Sequence, residues 1–153
     1  MKPCLAWGPP ESDFMNNPEQ FVINLYENQP VSFIGSVDQN GFPGIRAMLR
    51  PRKREGIKTI YFSTNTSTNK VEDFVENEKA CVYFCDPVTF QGALLKGSME
   101  TLYSRQDREM IWQKGDEMYY PGGIDDPDYC VLKFNASSGR LYSDLRSVNF
   151  VIY

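Results

Sequence analysis

The 153-residue chain contains no histidine. That absence excludes Ser-His-Asp and Cys-His nucleophilic catalysis and every metal site built on imidazole. Long apolar runs are missing too. The longest, at 80–85, is Ala-Cys-Val-Tyr-Phe-Cys, far short of the ~20 residues that a membrane helix needs. No basic-then-apolar leader is visible, so no secretory signal is read and a soluble cytoplasmic protein, away from the membrane, is expected. There is no glycine-rich phosphate loop, which excludes the Walker and dinucleotide-binding fingerprints. Cys4, Cys81, Cys85 and Cys130 lack C-x-x-C spacing. On an extended strand Cys81 and Cys85 would stand about 13 Å apart, so the thiols read as buried and reduced. Asp125, Asp126 and Asp128 lack the EF-hand spacing and read as a solvated loop. No metal is expected.

What is present fits one globular domain spanning 1–153. Hydrophobic residues make up 41% and charged residues 24%, ordinary for such a domain. Aromatics, at 14%, suit a compact core or a flat-ring ligand. The net charge of −4 is unevenly spread. Segment 46–70 holds Arg46, Arg50, Arg52, Lys53, Arg54, Lys58 and Lys70 against Glu55 alone, a net +6 that leaves −10 on the remainder. An acidic protein with a single basic stretch is a poor general nucleic-acid binder and better suited to one small anion.

Local patterns give the elements. Asn17 followed by Pro18 is a helix start, and Phe21, Val22, Leu25 and Tyr26 define one face of a helix over 18–28. Pro30 ends it. Residues 1–16 read as an irregular arm. Strands are expected at 31–37, 44–50, 57–63, 80–86 and 92–103. Asp38-Gln39-Asn40-Gly41 forms the first hairpin turn and 52–56 a charged turn. The hydroxyl-rich loop 64–68 leads into a short helix near 69–76. Ser104 opens another helix, with Gly115 closing it. A hairpin over Ser137-Ser138-Gly139 joins 129–135 to 139–143, and 148–152 is a last strand. Tight turns rather than helices connect most strands. The expectation is a mainly β fold: an antiparallel sheet of six or seven strands closed on itself, a small barrel with short helices.

Two stretches carry chemistry. Alternation along 45–50 puts Ile45, Ala47 and Leu49 on one strand face and Arg46, Met48 and Arg50 on the other. Two arginines about 13 Å apart suit an elongated anion; a solvated outer face is the plainer alternative. The second stretch is Phe62-Ser63-Thr64-Asn65-Thr66-Ser67-Thr68-Asn69-Lys70. Hydroxyls, a helix N-terminus and a lysine together suit a phosphate; an ordinary capped turn is the alternative.

In this order the two stretches resemble the FMN-binding split β-barrels related to pyridoxamine 5′-phosphate oxidase. Arg46-Ala47-Met48-Leu49-Arg50-Pro51 is similar to the family's arginine-led strand. Tyr61-Phe62-Ser63-Thr64-Asn65 is similar to its aromatic, Ser/Thr strand end, and Lys70 to its basic helix residue. Val71-Glu72-Asp73-Phe74, the apolar strand 80–86 and Lys96-Gly97-Ser98-Met99-Glu100 follow in the family's order. Tyr129 to Phe134 with Gly139 to Ser143 resembles its closing hairpin. The resemblance spans roughly 18–150 and implies a six- to seven-stranded antiparallel split barrel. It further implies a homodimer with FMN at the interface. By position, Arg46, Ala47, Met48, Leu49 and Arg50 would line the flavin. Ser63, Thr64, Asn69 and Lys70 would hold the phosphate. Gln91 or Gly92 would approach the ring, and Tyr142 would come from the partner chain.

Pro51 stands where the oxidase has lysine, and the chain has no histidine, which points to the small general-stress-protein-like branch. The function so implied is a flavoprotein oxidoreductase. It would move a hydride between a nicotinamide or small organic donor and an acceptor through FMN. No general acid or base is assigned. The rivals are a non-catalytic flavin or haem binder that stores or senses, a deazaflavin-dependent reductase, and a nucleic-acid module using 46–58.

Overall fold

The computed structural model describes residues 16–153, so all but the last residue of the arm at 1–16 lies outside the described part. The elements are α1 (Pro18–Asn28), β1 (Val31–Val37), β2 (Pro43–Leu49), β3 (Lys53–Glu55), β4 (Thr59–Asn65), α2 (Asn69–Glu76), β5 (Lys79–Cys85), β6 (Gly92–Leu102), α3 (Arg105–Ile111), β7 (Tyr129–Ser143) and β8 (Arg146–Val151). Local chemistry accounts for the first helix. Asn17 Oδ1 accepts from the Gln20 amide at 3.1 Å, Pro18 fills the first turn, and Phe21, Val22, Leu25 and Tyr26 are buried.

All strand pairs are antiparallel. The order is β2-β1-β5-β6-β7-β4-β3, with β8 added on β7. Seven strands thus form the continuous path, and β8 is an eighth beside it. The sheet expected to close on itself does not: β2 and β3 pair with each other nowhere among the described residues, and the barrel is split between them. Pro51, which has no N–H to give a ladder, lies in the break.

Three local expectations are corrected. Lys53–Glu55, expected in a turn, pairs with β4 as β3, and the reversal falls at Gly56, φ +58°. Residues 129–143 form one strand rather than a hairpin. β7 is flanked by β4 up to Asn135 and by β8 from Ser138, with β6 on its other side, so the chain passes through Ser137-Ser138-Gly139 without reversing, and Ser137 is the extra residue of a bulge. The irregularity is absorbed as a bulge at Lys96/Gly97, where a Cβ on Gly97 would lie 1.9 Å from the Asn135 carbonyl oxygen. Finally, α3 stops at Ile111, and Gly115 (φ +101°) starts a separate 3-10 turn at Asp116–Met118.

The main core lies between the inner sheet face and helices α1 and α2, around Ile34, Phe62, Val82, Phe84, Leu95 and Leu132. Full burial of each such side chain stabilises the fold by about 1.5–3 kcal/mol. A smaller cluster of Tyr61, Ile111, Tyr120, Tyr129 and Val131 sits under α3. On the opposite sheet face apolar side chains are left open, with Ile45 74% and Leu49 60% exposed. Cys81, Cys85 and Cys130 are free thiols. No helix among the described residues is long and apolar enough to cross a membrane.

Candidate functional site

Strand alternation turns Arg46 and Met48 away from the exposed face of β2, and Met48 packs on the main core. Arg46 there reaches Ser36 of β1, donating from Nη1 to Ser36 Oγ at 2.8 Å. The first turn of α2 brings Lys70 to the same corner. Lys70 is only 9% exposed, and its ammonium donates to Thr68 Oγ1 at 3.1 Å. It forms no ion pair among the described residues. Burial lowers the Lys70 pKa, and the Arg46 charge pushes the same way. Burial also lowers Arg46, against the opposing pull of Asp73. A buried ammonium beside a guanidinium is unfavourable until an anion compensates both. Nearby, Thr66 Oγ1 is buried against the Cys130 thiol, a weak hydrogen-bond partner.

The hydroxyl-rich stretch is divided by the strand that carries it. Thr64 is buried and faces Cys130 across the β4–β7 ladder, and Cys130 is an electrostatic neighbour of Lys70. Ser63 points the other way, with its hydroxyl bonded to the Tyr120 phenol. Asn69 is exposed at the start of α2.

Asp128, expected in a solvated loop, pins this stretch. Its carboxylate accepts from Asn65 Nδ2 at 2.9 Å, from the Ser67 amide at 2.8 Å and from Ser67 Oγ at 3.1 Å. The Asn65, then Ser67, hydrogen bonds hold its pKa below the usual carboxylate value. No sequence signal marks this role: the partners are over 60 residues apart and meet only because Asn65 pairs with Tyr129. Ser36 and Asp73 were likewise invisible as Arg46 partners. Among the described residues no three acidic or sulfur ligands group as a metal site.

Arg50 does not join Arg46. β2 ends at Leu49, and the Arg50 Nε donates to the Gln29 carbonyl at 3.1 Å. Leu49, Arg50, Arg52, Lys53 and Arg54 with Tyr26 line a separate cavity of about 760 Å³. Its cations are largely spent: Arg52 pairs with Asp116 at 2.6 Å and Arg54 with Glu27 at 3.1 Å.

Gln91, Gly92 and Tyr142 form a second group. Gly92 lies opposite Tyr142 in the β6–β7 ladder, and Gln91 Nε2 donates to Ser143 Oγ at 3.2 Å. A Cβ on Gly92 would lie 2.3 Å from the Tyr83 hydroxyl, so a larger residue there would have to displace the Tyr83 side chain. β6 and β7 are three and four strands from β2, about 14 and 19 Å at ordinary strand spacing. Along the sheet of one chain this group is therefore remote from Arg46. Ala47 and Leu49 lie on the exposed face of β2.

A family model for pyridoxamine 5′-phosphate oxidase matches residues 19–143. Among solved structures, a Clostridium acetobutylicum protein related to general stress protein 26 of Bacillus subtilis, of the pyridoxinephosphate oxidase family, is 43% identical. The match covers 88% of this chain and 96% of that one, with a TM-score of 0.80. A pyridoxamine 5′-phosphate oxidase-related, FMN-binding protein from Nostoc punctiforme shares the fold at 15% identity and a TM-score of 0.63, covering 93% and 98% of the two chains. So does a haem-binding protein from Mycobacterium smegmatis, at 12% identity and a TM-score of 0.71 over 87% of this chain and 57% of that one. No curated protein matches the sequence.

Proposed function

This chain belongs to the pyridoxamine 5′-phosphate oxidase family, and from that premise we propose that it is a homodimeric flavoprotein that binds FMN and acts as an oxidoreductase. The observation that carries the reading is Lys70: a buried ammonium beside Arg46, without a counter-ion among the described residues. The terminal phosphate of FMN, with about −1.5 to −2 charge, has the charge and the acceptor oxygens this corner lacks. Thr66 Oγ1, buried against the Cys130 thiol, supplies a further hydroxyl.

In this reading Lys70 and Arg46 bind the phosphate, with Thr64, Thr66 and Asn69 beside them. Asp128 keeps the 65–67 backbone in place. The segment Arg46 to Leu49 would line the flavin, and Arg46 would contribute a positive field. FMN held there would supply the redox chemistry, hydride transfer between a nicotinamide or small organic donor and an acceptor. The open apolar face of β2, with Ile45, Ala47 and Leu49, is the surface we assign to a second copy. The second copy would bring its own Gln91, Gly92 and Tyr142 to the ring and exclude water from it. An exposed apolar face of this kind favours association.

The test is the visible spectrum of the protein as purified, with mass spectrometry of the released chromophore. FMN, with bleaching on anaerobic addition of NADH or NADPH, is the expected result. Flavin that stays oxidised with every donor would leave a binder and remove the oxidoreductase. A haem or deazaflavin mass, or colourless protein that does not take up FMN, overturns the reading.

A further inference from the structure

Resting on the phosphate-binding reading above, we propose that Asp73 and Ser36 are positioning residues that aim the Arg46 guanidinium at the anion shared with Lys70. The three side chains form a closed set. Arg46 Nη1 donates to Ser36 Oγ at 2.8 Å, and the Ser36 hydroxyl donates to Asp73 Oδ2 at 2.8 Å. The same carboxylate oxygen lies 3.7 Å from Arg46 Nη2. Ser36 is 3% exposed and the Asp73 side chain 14%, so water competes little for these contacts.

The backbone is shaped to admit the guanidinium. Gly44 stands opposite Ser36 in the β1–β2 ladder, and a Cβ there would lie 3.0 Å from Arg46 Nη2. Asp73 follows Lys70 by three residues on α2, so one helix carries both the second cation and the residue that orients the first.

The need for such a device is physical. An arginine side chain loses rotamer freedom when fixed, and fixing it before the ligand arrives removes that cost from binding. A guanidinium has five N–H donors. Ser36 takes one, and Asp73 engages Nη2 at ion-pair range, so donors remain for an anion. Asp73 also offsets the repulsion between Arg46 and Lys70 in the empty protein.

The sign of one substitution separates positioning from mere proximity. A carboxylate that is only near a phosphate repels it, so Asp73→Asn would tighten binding. A carboxylate that positions Arg46 is missed, so Asp73→Asn weakens it. The experiment measures dissociation constants for FMN by flavin fluorescence quenching and for inorganic phosphate by thermal shift, on the flavin-stripped full chain. Expected are about 10-fold weaker binding of both ligands in Asp73→Asn and a smaller loss in Ser36→Ala, with partial recovery in Asp73→Glu. Asp73→Asn should add no further loss to Arg46→Ala. Unchanged or tighter binding in Asp73→Asn overturns the proposal, as does a full further loss in the Arg46→Ala background. Lys70→Met is the control: if it leaves phosphate and FMN binding intact, the phosphate-site reading itself fails. If it abolishes binding while Asp73→Asn does not weaken it, only the positioning role fails.

Discussion

Lys70 and Arg46 bring two positive charges to one corner from different elements, the lysine from α2 and the arginine from β2, and Lys70 has no carboxylate paired with it among the described residues. The two are separated by a helix boundary, a hairpin and two strands in sequence. Their meeting is the geometric condition that an anion site made from both stretches requires.

The corner trades stability for binding. Lys70→Met keeps the aliphatic volume and removes a buried charge. The flavin-free variant should be more stable than the flavin-free wild type by roughly 1 kcal/mol, a rise in Tm of about 2–4 °C for a chain of this size. It should lose FMN altogether, as should Lys70→Glu, which sets like charges together. Calorimetry of stripped protein and the flavin content of fresh preparations check the two halves. A Lys70→Glu protein with wild-type flavin content would show that the phosphate lies elsewhere.

The same group sets a pH dependence. The folded-state pKa of Lys70 is lowered from its ordinary 10.5, so the unfolded chain binds the proton more tightly than the folded one. Burial of the charged form therefore costs stability at all pH values below the depressed folded pKa. That cost is relieved as pH rises through this value towards 10.5. The Tm gap between stripped wild type and Lys70→Met should narrow over that window. The thermal shift caused by phosphate should shrink over it as well, because a neutral amine no longer attracts the anion. Melting curves from neutral to alkaline pH measure both.

Asp128 orders the loop rather than the core. Asp128→Ala should leave Tm nearly unchanged, speed hydrogen exchange at the Ser67 amide, and weaken FMN binding about 10-fold. Because its hydrogen bonds lower the Asp128 pKa, the order they give is complete above the ordinary carboxylate pKa and is lost as pH falls through the depressed one. Amide exchange at Ser67 across the acid range follows this directly.

Arg52 has a structural task. It holds Asp116 at 2.6 Å, and Asp116 in turn accepts from the Gln113 amide at 2.9 Å. With 14% and 4% of the two side chains exposed, removing one partner strands the other. Arg52→Ala should cost about 2–3 kcal/mol, read by urea unfolding. Flavin binding per folded molecule should be unaffected.

The exposed face of β2 tests the assembly. Ile45→Asp or Leu49→Asp places a charge where a second copy would pack, at positions that one chain leaves 74% and 60% exposed. The expected result in sedimentation is a folded monomer that has lost flavin together with dimerisation. A variant that remains a dimer with full flavin content would move the interface elsewhere.

Patterns set by chain neighbours were legible in the sequence. Asn17-Pro18 and the Phe21, Val22, Leu25, Tyr26 spacing specify α1, and period-two alternation correctly separates Ile45, Ala47 and Leu49 from Arg46 and Met48. The same alternation misled at Arg50, because the strand stops one residue earlier. The turn expected at Ser137-Ser138-Gly139 failed for a related reason: those residues have turn chemistry, yet β6 and β8 flank Ser138 and Gly139 on both sides, and Ser137 is taken up as the extra residue of a bulge whose carbonyl accepts from the Ile152 amide.

Chain-local pattern was thus enough for most of the elements, for the faces of the strands, and for the stock of cations and hydroxyls from which an anion site can be made. Which of them meet depends on the way the strands are ordered in space. The strand order β2-β1-β5-β6-β7-β4-β3 departs from chain order. It brings Asp128 to Ser67, turns Ser63 to Tyr120, and separates Tyr142 from Arg46. Contacts of that kind depend on how distant segments bury their apolar faces against one another, and local propensity carries no record of that choice.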